Sequence, residues 1–253
     1  MKFGAKIRFF LDMCKFFCTF AQNFSYLHII MPLQIVNLLD SNMDISDYIE
    51  SHSTPESDLL RFITRDTYRN VLNPRMVSGH IQGRLLSMIS RMIQPKRILE
   101  LGTFTGYSAL CLAEGLPEDG LLTTIEHNDE LEDTIRRNLS LSPLDQKIRL
   151  VIADAKTFLS ETEESYDLIF MDADKREYCA YLDLLMTNQL LPVGGWLLAD
   201  NTLWDGHIID PAYDRDQQTL ALRRFNDQVA TDPHLDKLIL PLRDGLTIIR
   251  RIS

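Results

Sequence analysis

The sequence predicts a doubly wound α/β fold with a mostly parallel, seven-stranded sheet that ends in an antiparallel hairpin. Five short apolar runs recur along the chain, segments with helical spacing lie between them, and a final pair of apolar runs is joined by an Asp-Gly turn. Short apolar runs bounded by turn signals suit buried parallel strands, and their alternation with helices is the pattern of an open α/β sheet. A chain of 253 residues, 45% hydrophobic and 25% charged with 11 Gly and 10 Pro, is long enough to bury a full core and is not of low complexity.

Residues 1–42 differ in kind from the remainder. They hold Lys2, Lys6, Arg8 and Lys15 against Asp12 and Asp40, whereas the whole chain has 26 basic and 36 acidic residues and a net charge of −10. Phe is concentrated there, as are Cys14 and Cys18. Gln22, Asn23, His28 and Gln34 interrupt the uncharged run 16–39, which makes it a poor membrane-spanning helix, and it lacks a clear small-residue cleavage site. Three origins compete: an upstream stretch joined through a mis-assigned start, a membrane-surface segment, and an integral structural element. The first is the expectation, because Met43 opens the acidic, helix-compatible stretch Met43-Asp44-Ile45-Ser46-Asp47-Tyr48-Ile49-Glu50. The functional domain is therefore expected over 43–253.

Helical spacing appears first at Leu59, Leu60, Ile63, Val71 and Leu72, then at Ile81, Leu85, Leu86, Ile89, Met92 and Ile93. Strands are expected at 98–101, 121–125, 148–152, 168–171 and 196–199. Leu131, Ile135 and Leu139 space a helix between the second and third of these, and Gly194-Gly195 stops another. Leu222, Phe225 and Val229 mark a last helix before the hairpin, 238–242 and 246–249 around Asp244-Gly245. Cys111 and Cys179 lie far apart in apolar segments, which suits reduced thiols and a cytoplasmic location. The acidic balance argues against a general nucleic-acid or anionic-membrane surface.

Each of the five strands carries an acid at or just after its end: Glu100, Glu126, Asp154, Asp172 and Asp200. In an open parallel sheet the ligand crevice lies outside the carboxyl ends of the strands, where these side chains converge. Helix capping is the plainer role for such acids, and it fits Asp154 best. Gly102 and Gly106 sit in a turn between the first strand and an apolar helix, without the Gly-x-Gly-x-x-Gly or Gly-Lys-Ser/Thr spacings that cradle phosphates. Glu126 is placed to accept hydrogen bonds from ribose hydroxyls, so a ribose-bearing cofactor with no phosphate requirement, S-adenosylmethionine (SAM), is expected.

Asp172-Ala173-Asp174-Lys175 after the fourth strand and Asp200-Asn201 after the fifth supply two carboxylates and an amide oxygen, an all-oxygen set that suits a hard cation such as Mg²⁺ and disfavours zinc. Lys175, one helical turn beyond Asp172, is a candidate general base, since a nearby dication favours the neutral amine. A plain ion pair with Asp172 or Asp174 is the alternative. No Gly-x-Ser-x-Gly elbow supports a serine hydrolase.

From Met43 onward the chain resembles the cation-dependent O-methyltransferases, the family of caffeoyl-CoA and catechol O-methyltransferases and their bacterial relatives. The resemblance rests on Leu99-Glu100-Leu101-Gly102-Thr103-Phe104-Thr105-Gly106-Tyr107-Ser108, Phe170-Met171-Asp172-Ala173-Asp174-Lys175, Asp200-Asn201-Thr202-Leu203-Trp204 and Gly245-Leu246-Thr247. It implies a Rossmann-like class I methyltransferase fold and a homodimer. It makes Asp172, Asp200 and Asn201 the metal ligands and Lys175 the base. Ser78, Glu100, Gly102, Thr103, Ser108, Glu126, Ala155, Asp174 and Tyr181 would hold SAM, and Trp204 and Asp205, with Asp172, would line the acceptor side. The implied acceptor is a small hydroxylated aromatic or vicinal diol. Two alternatives stand beside it: a hydroxylated uridine in tRNA, served by a strip of Arg65, Arg69, Arg75, Arg84 and Arg91, and a non-catalytic cofactor-binding protein.

Overall fold

A computed structural model of the chain describes residues 44–253. Residues 1–43 lie outside the described residues, and with them the expected extension 1–42, Cys14, Cys18 and the reading of Met43 as initiator. The short helix α1 covers Ile45–Ser51, and the elements from α2 onward belong to a compact unit, 50–253.

Helix α2 (Asp58–Asn70) starts at Ser57, whose hydroxyl accepts from the Leu60 amide at 3.2 Å, and buries Leu60, Ile63 and Thr67. Val71 and Leu72 were expected to continue it, but Val71 is extended and Leu72 is 87% exposed. Pro74 disfavours right-handed helix at Asn73, which instead takes a left-handed φ of 54°. Helix α3 (His80–Ile93) follows and ends on the left-handed Gln94.

The sheet comprises β1 (Arg97–Leu101), β2 (Leu121–Glu126), β3 (Ile148–Ile152), β4 (Leu168–Met171), β5 (Trp196–Asp200), β6 (Leu235–Leu240) and β7 (Leu246–Arg251), in the order β3-β2-β1-β4-β5-β7-β6. The first five are parallel, and β7 runs antiparallel to both β5 and β6. The expected strand 238–242 lies a few residues earlier than read, because Pro241 has no N–H to give the ladder and β6 closes before it. The chain winds outward from β1 to β3, then crosses to β4 on the other side of β1, so the switch point falls between β1 and β4.

Strand side chains alternate between two cores, as a period of two requires. Leu99, Leu101, Ile169 and Met171 pack with α7 (Tyr178–Thr187) and α8 (Gln217–Thr231), whose Tyr178, Leu185, Leu222 and Phe225 are wholly buried. Ile98, Leu168, Phe170 and Leu198 pack on the opposite side with α2, α3 and the short, fully buried α4 (Tyr107–Ala113). The remaining helices, α5 (Glu132–Ser140) and α6 (Ala155–Glu161), cover the β2 and β3 end of the sheet. Among the described residues Cys111 and Cys179 are free thiols, and no helix is long and apolar enough to cross a membrane.

Candidate active site

The carboxyl ends of β1, β2, β4 and β5 open onto a cavity of about 1310 Å³. Its floor beside the switch point is main chain. Gly102 has φ +97°, and a Cβ there would stand 2.4 Å from the Asp172 carbonyl oxygen, so only glycine lets the ends of β1 and β4 meet. The Asp172 amide donates to Leu101 O at 2.8 Å, and the Gly102 amide donates to Ile125 O at 3.0 Å. These bonds splice the turn into the strands on either side.

Glu126, at the end of β2, accepts from the Phe104 amide (2.8 Å) through Oε2 and from the Asn128 amide (2.8 Å) through Oε1. Each oxygen keeps a second lone pair for a ligand hydroxyl. Thr103 is buried, with its hydroxyl 2.5 Å from that of Thr124, which in turn donates to Glu100 Oε2 at 2.5 Å. Glu100 has no exposed surface, and its Oε1 has no hydrogen-bond partner. Burial pushes its pKa up to about 8, against the pull of the Ser108 and Thr124 hydroxyls and with the help of the negative charges of Asp172 and Glu126.

Side chains build the other half. Asp174 caps the turn Lys175–Glu177, accepting from the Arg176 amide at 3.0 Å, and hydrogen bonds from the Arg176 guanidinium hold its carboxyl below the usual carboxylate range. That turn swings Lys175 back over the strand end, where its Nζ donates to Asp172 Oδ1 at 2.5 Å and lies 5.2 Å from the Tyr178 ring centroid. The ion pair weighed from the sequence is thus made with Asp172, while Asp174 pairs with Arg176. Tyr178 shares its hydroxyl proton between Met171 O (2.9 Å) and Asp200 O (3.0 Å), fastening the ends of β4 and β5.

Asp200 is 3% exposed; its Oδ2 accepts from Gln82 Nε2 at 2.7 Å, and its Oδ1 is buried without a partner. Burial and then the charge of Asp172 raise its pKa to about 6, while Lys175 and the Gln82 bond oppose the rise. Asn201, next in the chain, has φ +58° and places Nδ2 3.5 Å from Asp244 Oδ2.

The cavity gathers most of the residues singled out in the sequence. Gly102, Thr103, Ser108, Glu126 and Ala155 line the β1–β3 side, Asp172, Asp174, Lys175, Tyr181, Asp200, Asn201 and Trp204 line the other, and Ser78 lies in the wall beside Arg243. Tyr181 is 3% exposed, and burial moves its phenol up to about 12. Glu100 lies behind the wall rather than in it, and Asp205, exposed on a kinked 3-10 segment at φ +50°, is not among the lining residues. Asp154 also lines the cavity while capping α6, accepting from the Thr157 amide at 2.9 Å. Three further residues escaped the sequence reading: Gln82 behind Asp200, Arg243 in the wall, and Tyr178. Gln82 did leave a signal, since it sits four residues before Leu86 on the apolar stripe of α3, where a polar side chain needs a buried partner.

The family model described as O-methyltransferase matches residues 50–252. The chain belongs to the cation-dependent O-methyltransferase family. Among similar O-methyltransferases, the caffeoyl-CoA O-methyltransferase of Stellaria longipes is 30% identical over 207 residues, covering 78% of this chain and 85% of its own length. Caffeoyl-CoA O-methyltransferase 2 of Petunia hybrida is 35% identical over 190 residues, 70% of this chain and 77% of its own. A methyltransferase from Podospora anserina, solved with S-adenosylhomocysteine (SAH) bound, superposes with a TM-score of 0.76 at 28% identity, covering 85% of this chain and all of that one. The Streptomyces achromogenes O-methyltransferase of tomaymycin synthesis, in complex with SAM, gives 0.74 at 26% identity, with 81% and 95% coverage. As a member of this family the protein is a SAM-dependent O-methyltransferase with the class I Rossmann-like fold.

Proposed function

We propose that this enzyme transfers the methyl group of SAM to a hydroxyl of a small catechol-like or vicinal-diol acceptor, with a divalent cation, Mg²⁺, held by Asp172, Asp200 and Asn201. One observation carries the reading: Lys175 Nζ stands 2.5 Å from Asp172 Oδ1, beside a buried Asp200 oxygen with no partner, in the same cavity as the glycine turn. The donor set fits such a cation. Burial, and then the negative charge of Asp172, raises Asp200 to about 6, and an unpartnered carboxylate oxygen inside the protein is costly unless something positive meets it. Among the described residues no group of three or more His, Cys, Asp or Glu is arranged to hold a metal, so the site depends on the amide of Asn201 as its third donor, as hard oxygen chemistry allows.

Glu126 receives the ribose hydroxyls, and Gly102 and Thr103 bring main chain close to the donor. Ser78, Ser108, Ala155, Asp174 and Tyr181 complete that half, with Glu100 supporting Ser108 and Thr124 from behind. Trp204 faces the acceptor, and Asp205 stands at the outer edge. When bound, the cation lends positive charge that favours the ionised acceptor hydroxyl. Lys175, as the neutral amine that a neighbouring dication favours, would accept the acceptor proton at Nζ, with Asp172 holding that nitrogen in reach. The acceptor oxygen then bonds to the methyl carbon as the carbon–sulfur bond breaks, leaving a neutral thioether. Alignment of oxygen, carbon and sulfur by the two half-sites supplies much of the acceleration, since effective molarities of ~10⁵ M or more accompany such positioning.

A small acceptor is favoured over tRNA because Arg84 and Arg91 both pair with Glu114, at 3.6 and 2.8 Å, which takes two arginines out of the basic strip. The names of the caffeoyl-CoA relatives support the same choice. The test incubates the full chain with SAM and a panel of catechols, with Mg²⁺ or with chelator, and detects product by mass spectrometry. Methylated catechol that disappears with chelator is expected. Product unaffected by chelator would remove the cation, and no product despite SAH binding would turn the search to larger hydroxylated acceptors. Asp172→Ala is expected to lose turnover to background while retaining SAH binding.

A further inference from the structure

We infer that Gln82, locked by Arg243, is a positioning residue that fixes the Asp200 carboxylate and reserves its second oxygen for the cation; this rests on Asp200 being a cation ligand as proposed above. Gln82 reaches Asp200 from α3, 118 residues earlier in the chain, and is 1% exposed. Its Nε2 donates to Asp200 Oδ2 at 2.7 Å, and its Oε1 accepts from Arg243 Nη1 at 3.0 Å. A glutamine amide presents either end with equal ease, but a guanidinium is a donor only. Arg243 therefore selects Oε1 and leaves Nε2 for the carboxylate. Flipping the amide would set N–H against N–H and oxygen against oxygen in a buried space.

Arg243 is itself anchored on main chain. Nη1 also donates to the carbonyls of Val77 (3.1 Å) and Ser78, and Nη2 to that of Arg75 (3.3 Å). The chemistry explains why a neutral amide stands between the guanidinium and Asp200. An arginine in direct contact would take the carboxylate in a fork, engage both oxygens and cancel its charge. The amide engages one oxygen and cancels nothing, so Asp200 keeps its negative charge and a free Oδ1. Asp172 differs, since the partner on its Oδ1 is the cationic Lys175. Partners of this kind behind metal ligands set ligand orientation and tune affinity.

The experiment titrates Mn²⁺ into the purified full chain without acceptor, read by electron paramagnetic resonance, with SAH affinity and thermal unfolding measured on each sample. Gln82→Met, which keeps the volume and removes both polar ends, is expected to weaken Mn²⁺ binding about 10–100-fold with SAH affinity unchanged. Gln82→Asn, which keeps the amide but is too short to bridge, is expected to move the same way and carries the test if the methionine variant does not fold. In an Asp200→Asn background, Gln82→Met should cause no further loss, because Gln82 acts through Asp200. Unaltered Mn²⁺ affinity in both Gln82 variants, alongside weakened binding in Asp200→Asn, would overturn the positioning role and leave the cation site standing. Additive losses in the double variant would overturn it too. A wild-type chain that binds no Mn²⁺ would remove the cation site and the positioning role together.

Discussion

At the end of β1 the cavity wall is main chain, spliced to its neighbours by amide–carbonyl bonds from Gly102 and Asp172. At the ends of β4 and β5 it is side chains, each held by another side chain or by a distant carbonyl. The main-chain half draws on few residues: a glycine turn and the acid at the end of β2, proposed above to meet the ribose. The side-chain half must set charge as well as position, and it draws on helix α3, the β6–β7 turn and the first turn of α7 to do so. A backbone-built site tolerates change at its side chains and is intolerant of added Cβ atoms. A side-chain-built site behaves the other way round.

Three substitutions sharpen that contrast. The largest effect belongs to Lys175→Met, expected to lower kcat by about 10²–10⁴ while leaving SAH affinity intact, as loss of a general base does; a fall in SAH affinity instead would join Lys175 to the cofactor half. Next is Gly102→Ala, where a methyl group would strike the Asp172 carbonyl at a positive φ. Its cost in unfolding free energy is expected at about 1–3 kcal/mol, with weaker SAH binding, and chemical denaturation with calorimetric titration measures both. A silent Gly102→Ala would show that the turn can relax and would break the comparison.

The third effect is spread across pH. Glu100 is raised from 4.5 to about 8 in the folded protein, so between those values the native state holds a proton that the unfolded chain has lost. Stability contributed by protonated Glu100 is present at low pH and declines as pH rises through this window, by at most about 1.4 kcal/mol per unit. Glu100→Gln keeps the hydrogen-bonding shape without the proton. Its melting temperature relative to wild type is expected to climb from pH 5 to pH 8, and a flat difference would mean that Glu100 is ionised throughout.

What could be read in the sequence follows the same division. Strands 148–152 and 168–171 lie where the apolar runs place them, and the acids at the strand ends mark the open edge of the sheet, because both signals are local. The ends of α2 and β6 depart from the apolar spacing where Asn73-Pro74 and Pro241 override it. Gly102, Glu126, Asp172, Lys175 and Asp200 sit in short runs with a recognisable order of glycine, acid and base, and all five line the cavity. Their supports do not share those runs. Gln82 and Arg243 are 161 residues apart, and nothing in either neighbourhood declares that one orients the other. Tyr178 resembles any aromatic residue on a buried helix until its hydroxyl is seen between two strand ends.

The Tyr178 hydroxyl touches carbonyls, not carboxylates. The gap between β4 and β5 is thereby held by neutral dipoles and not by an ion pair with Asp172 or Asp200. On the proposal that these acids hold a cation, a chelator is expected to strip it without the frame coming loose. On the same proposal, this edge of the sheet is a socket expected to empty and refill without refolding.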